Sequence, residues 1–359
     1  MQIPTEWIKE FCGIDATNDQ MVNQLTMAGV ECCFLDSSTQ EILDLSLTPN
    51  RADCFSVMGI CRELAVLNNL NIKTDKHDDL AIHHQGEMNI AIESPNDCPV
   101  FMTRIINNIS INRETPDWMI KRLESSGFKS NNIIVDITNY VMLEYNQPLH
   151  SFDYDRLKDH TIIVRRAKAD ETLVTLDGVE RKLTPNVLVI ADARDPIGIG
   201  GVIGGANSEI GPDTVSVLLE SATFNEQNNR ETAQSLGLRT EATLRFEKGL
   251  RPELAPIALR RATGLIQEVA GGTVAPGIVD VLSDEGAEPP VVILTSGKIK
   301  RMLGMEVDLK RVKETMDALG FTWESESDAA LKVTVPYWRN DVNIEEDLVE
   351  EVVRIIGYQ

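Results

Sequence analysis

Three stretches of the sequence carry residues whose types and spacing could do chemistry, and the first surrounds a single histidine. His150 comes two positions after Pro148, which stiffens the chain, and three positions before Asp153. A nearby carboxylate such as Asp153, or a backbone carbonyl, could therefore fix the tautomer of the His150 ring. A lone histidine is more often structural, and the sequence offers no serine or cysteine nucleophile at an elbow motif. Covalent catalysis is not favoured.

The second stretch combines closely spaced glycines with a carboxylate. The glycines between Gly198 and Gly211 match neither the dinucleotide fingerprint nor the phosphate loop, because no helix-opening GxGxxG and no Gly-Lys-Ser/Thr is present. Glu220 follows at the end of a predicted apolar strand, 215–219, where a carboxylate needs a partner. Beside a glycine loop that offers backbone donors, Glu220 could recognise a hydroxyl group. The alternative is an ordinary salt bridge.

The third stretch is an acidic run near residue 347. Asp347, Glu350 and Glu351 have the spacing i, i+3 and i+4, which puts them on one helical face, and Asp341 precedes that helix by about a turn. Clustered carboxylates repel one another, and a hard cation such as Mg²⁺ would relieve the repulsion. The alternative is a solvated acidic helix start, which the helix dipole favours.

The overall charge argues against nonspecific nucleic-acid binding. The formal net charge is −22 at pH 7, whereas such binding depends on neutralising phosphates with Lys and Arg. One basic cluster could still face a phosphate backbone: Arg245, Lys248, Arg251, Arg260 and Arg261. The six cysteines form no CxxC pair, and only the adjacent His83 and His84 faintly suggest a metal site. No segment is apolar for long enough to cross a bilayer.

The periodicity of apolar residues predicts a multidomain α+β protein. Residues 1–70 read as a small helix-and-strand unit, 71–88 as a polar linker and 89–283 as a mixed α/β domain. A second linker is predicted at 284–290. Residues 291–359 read as strand, two helices, two strands and a helix, in a compact winged-helix-like order.

Several motifs together resemble one protein family closely. They are the runs 132–141 and 147–153, the paired-glycine loop 200–205, the strand segment 219–224, and the segments 25–31 and 48–54. From residue 4 to residue 357 the chain resembles the N-terminal half of the bacterial phenylalanine-tRNA ligase β subunit. Relative to that family it lacks the OB-fold tRNA-binding insert and the C-terminal catalytic-like and anticodon-binding domains.

The resemblance implies an editing activity and assigns residues to it. The middle domain would be a B3/B4-type domain that hydrolyses tyrosine wrongly esterified to tRNA(Phe), with no synthetic active site in this chain. Matching the motifs position by position gives catalytic roles to His150 and Glu220, and substrate contacts to Lys129, Gly204, Thr240 and Ala242. The last domain would be of B5 type and would bind Mg²⁺ through Asp341, Asp347, Glu350 and Glu351.

The resemblance also implies partners and a location. The expected partners are the α subunit, in a heterotetramer, and the acceptor end of tRNA(Phe). ATP would be used by the full complex and not by this chain, which we expect in the cytoplasm. Two positions depart from the family pattern: Lys129 stands in place of arginine and Asn146 in place of glycine. Two other functions remain open, a noncatalytic assembly module and a free-standing trans-editing factor.

Overall fold

The computed structural model describes residues 1–36, 41–70, 72, 88–276, 279–282 and 288–357. The chain divides into two compact units: Met1–Asp75 with Ser125–Gly127 and Glu288–Gln359, and Lys76–Glu124 with Phe128–Ala287. Most of the two predicted linkers, 71–88 and 284–290, lies outside the described residues, and so do His83 and His84. The predicted domain bounds therefore stay a prediction.

The N-terminal part of the first unit is three helices on a small antiparallel sheet. Its elements are β1 Gln2–Pro4, α1 Thr5–Cys12, α2 Asn18–Met27, β2 Glu31–Asp36, β3 Glu41–Ser46 and α3 Val57–Leu67, with strand order β1-β3-β2. The start of α2 is fixed by a capping box, in which Thr17 and Gln20 satisfy each other's backbone N–H groups. Ser56 caps α3 by accepting from the Gly59 N–H.

The second unit is built on two five-stranded sheets and a two-stranded ribbon. Its strands are β4 Asn89–Ile92, β5 Val100–Asn107, β6 Leu149–Asp153, β7 Thr161–Arg166, β8 Thr172–Val174, β9 Glu180–Lys182, β10 Leu188–Ala191, β11 Pro196–Ile199, β12 Ile203–Gly204, β13 Ser216–Thr223, β14 Thr273–Val274 and β15 Val279–Leu282. The first sheet has the order β14-β5-β13-β6, with β15 also paired to β5, and the second has the order β12-β11-β10-β7-β4. Strands β8 and β9 form the ribbon.

Helices cover one face of the first sheet. The helices of this unit are α4 Asp117–Ser125, α5 Ile133–Tyr145, α6 Glu226–Leu236, α7 Glu241–Phe246 and α8 Leu254–Leu265, which continues as a π-helical turn, Ile266–Ala270. Helices α5 and α8 pack against the strands of this sheet. The Ser221 hydroxyl donates to the Ala255 carbonyl at 2.9 Å, so this side of β13 packs against α8. Side chains alternate along a strand, and Glu220 therefore points to the other face. Glu220 was predicted at the end of its strand, but it lies in the middle of β13.

The C-terminal part of the first unit has its own sheet and core. Its elements are β16 Val291–Thr295, α9 Ser296–Leu303, α10 Leu309–Ala318, β17 Thr322–Ser327, β18 Ala330–Thr334 and α11 Glu345–Ile356, with strand order β16-β18-β17. Leu294, Phe321 and Val352 are central to its core, which Val66 of α3 also joins. The predicted α+β class is confirmed. Within the described ranges no helix is both long and apolar enough to cross a membrane.

Candidate functional site

The site is a cavity in the second unit between the first sheet and the strands β10 to β12. It encloses about 440 Å³ of empty space, part of it open to solvent. Its apolar lining includes Pro148, Phe152, Ile190, Ile199, Phe224 and Phe246. The polar side chains in its wall are His150 and Glu220, and Gly204 lies opposite them. An apolar pocket with few polar groups is the usual form of a small-ligand site.

The sheet register brings His150 and Glu220 together. Strands β6 and β13 are antiparallel, and Glu220 is paired directly with His150. Side chains at directly paired positions project to the same face, with Cβ atoms about 5 Å apart. Gly204 closes the site from the other sheet: a Cβ atom added there would lie 2.5 Å from Cε1 of His150. Only glycine lets the backbone come this near to the imidazole.

Burial makes both polar groups neutral at pH 7. Glu220 is only 5% exposed, and its Oε2 has no hydrogen-bond partner among the described residues. Burial raises the pKa of Glu220 to about 8 and lowers the pKa of His150 to about 4. The pocket therefore presents a carboxylic acid beside an uncharged imidazole. Such opposed shifts in one cleft are typical of functional sites.

The surroundings of His150 correct one prediction from the sequence. The carboxylate of Asp153 accepts from the Thr214 hydroxyl at 2.7 Å and from the Asp155 N–H at 3.1 Å. Asp153 therefore does not fix the tautomer of His150. The ring instead contacts the edge of Phe152, with centroids 4.5 Å apart.

The four predicted substrate contacts occupy different places. Gly204 and Ala242 line the cavity, Ala242 from α7. Thr240 caps α7, and its hydroxyl donates to the Val202 carbonyl at 3.0 Å, which ties the helix to the glycine loop. Lys129 is exposed between α4 and α5 and is not part of the cavity wall. The structure brings two of the four to the pocket, and Thr240 supports its rim.

The two departures from the family pattern have different structural consequences. Asn146 ends α5 with φ at +70°, in the left-handed region. Asparagine tolerates this conformation better than most residues, so it can replace a glycine here. Nothing in the surroundings of Lys129 explains why lysine stands there in place of arginine.

The basic cluster is largely neutralised within the protein. Arg245 is bonded to Glu241 at 2.7 Å, and Arg251 to Glu253 at 2.8 Å. Arg261 forms a two-point contact with the buried Glu144. Lys248 lies 3.8 Å from a carboxylate oxygen of Glu247. Four of the five cations are therefore paired with carboxylates, and the cluster does not form a bare phosphate-binding face.

The four predicted metal ligands are not gathered into one cluster. Asp341 and Glu351 both bind the guanidinium of Arg339, and Glu351 also binds Arg354. Asp347 uses Oδ2 to accept from two backbone N–H groups at the start of α11. Glu350 is exposed. Arginine therefore occupies two of the four carboxylates, while Glu350 and the remaining oxygen of Asp347 could hold a cation.

One group in the described part of the chain has metal-ligand spacing: Asp53, Cys54 and Glu63. Arg51 already bridges the two carboxylates, at 2.9 Å to Asp53 and 2.6 Å to Glu63. Burial, followed by the Asp53 charge, holds the pKa of the Cys54 thiol well above its usual range. A protonated thiol and two occupied carboxylates are poor ligands. We interpret this group as part of an ion-pair network.

Sequence reasoning missed several residues that shape the pocket. Phe224 and Phe246 meet edge to face at 5.0 Å behind the glycine loop. A Cβ atom added to Gly201 would lie 2.5 Å from the Asn229 amide nitrogen and 2.8 Å from Phe224. The doubled glycines were the one sequence signal for these residues, because such glycines indicate that another group packs closely against the backbone. Their neighbours, Asn229 and Phe246, lie too far along the chain to be found by spacing.

Two family models match the chain. Residues 97–271 match the B3/4 domain, and residues 292–358 match the tRNA synthetase B5 domain. The pocket residues from Pro148 to Phe246 all fall in the first match. The acidic helix α11 falls in the second.

Two similar proteins are both phenylalanine–tRNA ligase beta subunits. Over 320 residues the chain is 44% identical to the phenylalanine–tRNA ligase beta subunit of Geobacillus kaustophilus, a match that covers 89% of the chain and 39% of that protein. The beta subunit of Dehalococcoides mccartyi is 44% identical over 331 residues, which cover 88% of the chain and 41% of that protein. The chain thus spans about two fifths of the length of these relatives.

A solved structure shares the fold. It is the crystal structure of an N-terminal fragment of the phenylalanyl-tRNA synthetase beta subunit from Pyrococcus horikoshii, with a TM-score of 0.54 and 13% sequence identity. The superposition covers 99% of each chain. With the two domain matches and the curated relatives, this likeness confirms the resemblance seen in the sequence motifs. The chain belongs to the family of phenylalanine–tRNA ligase beta subunits, and the pocket lies in its B3/4 domain.

Proposed function

We propose that the pocket is an editing site that hydrolyses the ester bond between tyrosine and tRNA(Phe) during protein synthesis. The observation that carries the proposal is the pairing of Glu220 with His150 on neighbouring strands, facing one apolar cavity. The apolar wall suits an aromatic side chain, and the carboxyl of Glu220 suits its phenolic hydroxyl. The names of the relatives supply phenylalanine and its tRNA, and the tyrosyl ester is what the family resemblance implies.

Discrimination between tyrosine and phenylalanine follows from the burial of Glu220. A phenolic hydroxyl can bond to the Glu220 carboxyl, whose Oε2 otherwise has no partner among the described residues. Phenylalanine would fill the same space and leave the carboxyl unsatisfied. A site built to bond a hydroxyl can reject the analogue that lacks it by roughly 10⁴ or more. Correctly charged tRNA would therefore be spared.

His150 acts in this proposal by orienting groups and not by taking a proton. A general base works best when its pKa lies near the working pH. The pKa of His150, about 4, leaves the ring neutral at pH 7 and makes it a weak base. Its ring can still hold a water molecule or the ester in position, and orientation alone supplies much of the acceleration of such a reaction. Gly204 lets the backbone pass close to the same ring.

The remaining roles belong to the same proposal. The acceptor end of tRNA(Phe) would reach the pocket from solvent, with Lys129 as a phosphate contact beyond its rim. The rest of the tRNA would be bound together with the α subunit, because the net charge of −22 opposes tight RNA binding by this chain alone. The ATP-dependent synthesis would be carried out by the full complex. A cytoplasmic location follows from a role in translation.

The test is deacylation of tyrosyl-tRNA(Phe) and phenylalanyl-tRNA(Phe) by the chain, with and without an α subunit. We expect hydrolysis of the tyrosyl ester only, strong loss in Glu220→Ala, and loss in His150→Ala. Glu226→Ala is the matched control, because Glu226 is an exposed glutamate at the start of α6. No hydrolysis with either preparation would reject editing in favour of a noncatalytic assembly module. Hydrolysis without the α subunit, with salt-sensitive tRNA binding, would favour a free-standing editing factor.

We propose separately that Mg²⁺, where the B5 domain takes it up, is held through Asp347 and Glu350. Asp341 and Glu351 would serve instead to hold Arg339, their partner in the ion-pair network. Isothermal titration with Mg²⁺ should then show weakened binding in Asp347→Asn and Glu350→Gln. Asp341→Asn should leave the affinity for Mg²⁺ unchanged and lower the stability of the first unit. The reverse pattern would contradict this assignment.

A further inference from the structure

A third polar side chain continues the row formed by His150 and Glu220. Strand β5 lies on the other side of β13, and Thr103 is paired directly with Glu220. Thr103, Glu220 and His150 are therefore consecutive across three antiparallel strands and project from the same face of the sheet. Nothing in the chain's motifs singles out Thr103.

Thr103 and Glu220 share an unusual defect. Thr103 is 1% exposed, and its Oγ1 has no hydrogen-bond partner within the described residues. Oε2 of Glu220 is in the same condition. Buried polar atoms without partners are rare and costly, and each one needs an explanation. Because these two atoms belong to directly paired residues, one explanation accounts for both: they form a hydrogen bond with each other in another state of the site.

Two other donors in this unit already have partners. The Cys98 thiol, whose pKa is raised by burial and by the Glu220 charge, already donates to the Val100 carbonyl at 3.4 Å. On α7, Arg245 is held by Glu241. The glycine loop from Gly200 to Gly205 carries no charged side chain. His150, on the far side of Glu220, is the group nearest the glycine loop.

We propose that Thr103 is a positioning residue for Glu220: its hydroxyl donates to the Glu220 carboxyl when tyrosine is bound and holds that group toward the phenol. The inference rests on the proposed editing function and names a further determinant of its specificity. Rotation of Thr103 about χ1 brings Oγ1 to the Glu220 side without backbone movement, because the two Cβ atoms are neighbours. One carboxyl oxygen then serves Thr103 and the other serves the substrate.

The experiment compares Thr103→Val, which removes the hydroxyl at constant shape, with Thr103→Ser, which restores it. Thr223→Val is the matched control: Thr223 is also buried with an unpartnered Oγ1, but it lies three residues beyond Glu220 and on the opposite face of β13. We expect Thr103→Val to lower kcat/KM for tyrosyl-tRNA(Phe) about 10-fold, which is the upper end of the usual effect of losing a hydrogen bond between neutral groups. Thr103→Ser and Thr223→Val should stay within about 3-fold of the parent.

A double variant separates positioning from general damage. In a Glu220→Ala background, which offers no acceptor to the Thr103 hydroxyl, Thr103→Val should cause little additional loss, because the two residues act through one contact. Loss of the same size in both backgrounds, or equal losses in Thr103→Val and Thr223→Val, would overturn the proposal.

A readout that needs no turnover keeps the inference distinct from the editing function. The titration of Glu220 can be followed by ¹³C NMR of labelled glutamate, assigned with Glu220→Gln. Thr103→Val should raise the pKa of Glu220 further even in the empty pocket, because the rotated Thr103 hydroxyl would donate to the carboxylate once Glu220 ionises and would favour that charged form. Thr103→Ser should reverse the change. If the parent chain fails to hydrolyse the ester both with and without the α subunit, the editing function fails; if Thr103→Val leaves this titration unchanged, the role of Thr103 fails.

Discussion

Replacing Glu220 with glutamine should stabilise the protein at alkaline pH. Glu220 is buried in the pocket wall, and its pKa rises from 4.5 to about 8 because the charged form loses its hydration. Folded protein therefore binds the proton more tightly than unfolded protein does. The stability associated with this proton is complete below pH 4.5 and is lost as the pH rises to 8. Glutamine fills the same space and has no proton to lose.

The size of the effect follows from the two pKa values. At about 1.4 kcal/mol per pKa unit, the difference between 4.5 and about 8 corresponds to roughly 5 kcal/mol. This is an upper bound, because side-chain relaxation and water entry reduce it. His150 acts in the opposite sense: its pKa falls from 6.5 to about 4, so stability is lost as the pH falls through that window. The two contributions cancel between pH 4.5 and 6.5, and the loss due to Glu220 dominates from 6.5 to 8.

Urea-dependent hydrogen exchange of peptides that cover β13 would measure the effect in the second unit alone. We expect the free energy of unfolding of Glu220→Gln to exceed that of the parent by several kcal/mol at pH 8.5, and by much less at pH 5. Glu144→Gln is the contrasting control, because Glu144 is equally buried but bonded to Arg261. Its loss should destabilise the unit at both pH values. A gain for Glu220→Gln that does not vary with pH would refute the reasoning.

Two further substitutions test the close contacts. Gly204→Ala places a methyl group 2.5 Å from Cε1 of His150, so the ring must move, and deacylation of tyrosyl-tRNA(Phe) should fall about 100-fold; an unchanged rate would remove Gly204 from the site. Glu63→Ala leaves Arg51 and Arg354 buried without their shared carboxylate and should cost about 3 to 5 kcal/mol in urea unfolding of the first unit. A loss below about 1 kcal/mol would mean that water replaces the carboxylate.

Local signals were enough to predict some elements and not others. The order predicted for residues 291–359, strand, two helices, two strands and a helix, is the observed order of β16 to α11. Capping residues and a following glycine mark such helix ends, as at α9, which Thr295 caps and Gly304 ends. Helix α5, Ile133–Tyr145, was not predicted as a helix. It is buried on nearly all sides, so it lacks the polar face whose period identifies a helix.

The strand that carries Glu220 was cut short for a related reason. Its apolar run appeared to end at Leu219, but β13 continues to Thr223. Every residue of β13 is buried; Glu220 faces the pocket, and Ser221 bonds to α8. A polar residue in such a strand does not mark the point where the strand reaches solvent. The pattern of apolar residues alone therefore placed Glu220 at the end of the strand.

The pairs that define the site lie far apart in the sequence. His150 and Glu220 are brought together by strand register, and the buried Glu63 meets Arg354 across 291 positions. Helical spacing put Glu351 on the same face as two other acids, but it could not reveal that two arginines bind it. Only the family motifs linked His150 with Glu220 before the fold was known.

The same burial that weakens the fold at alkaline pH can supply the selectivity of the pocket. Glu220 without a partner is costly in the empty site, and a phenolic hydroxyl removes that cost, whereas phenylalanine leaves it in place. Stability and discrimination should therefore change in opposite directions at this one position. Glu220→Leu, which offers the phenol neither an acceptor nor a donor, should gain stability at pH 8.5 and hydrolyse tyrosyl-tRNA(Phe) with less preference over phenylalanyl-tRNA(Phe). A variant that gains stability and keeps its full preference would show that tyrosine is recognised by some group other than this carboxyl.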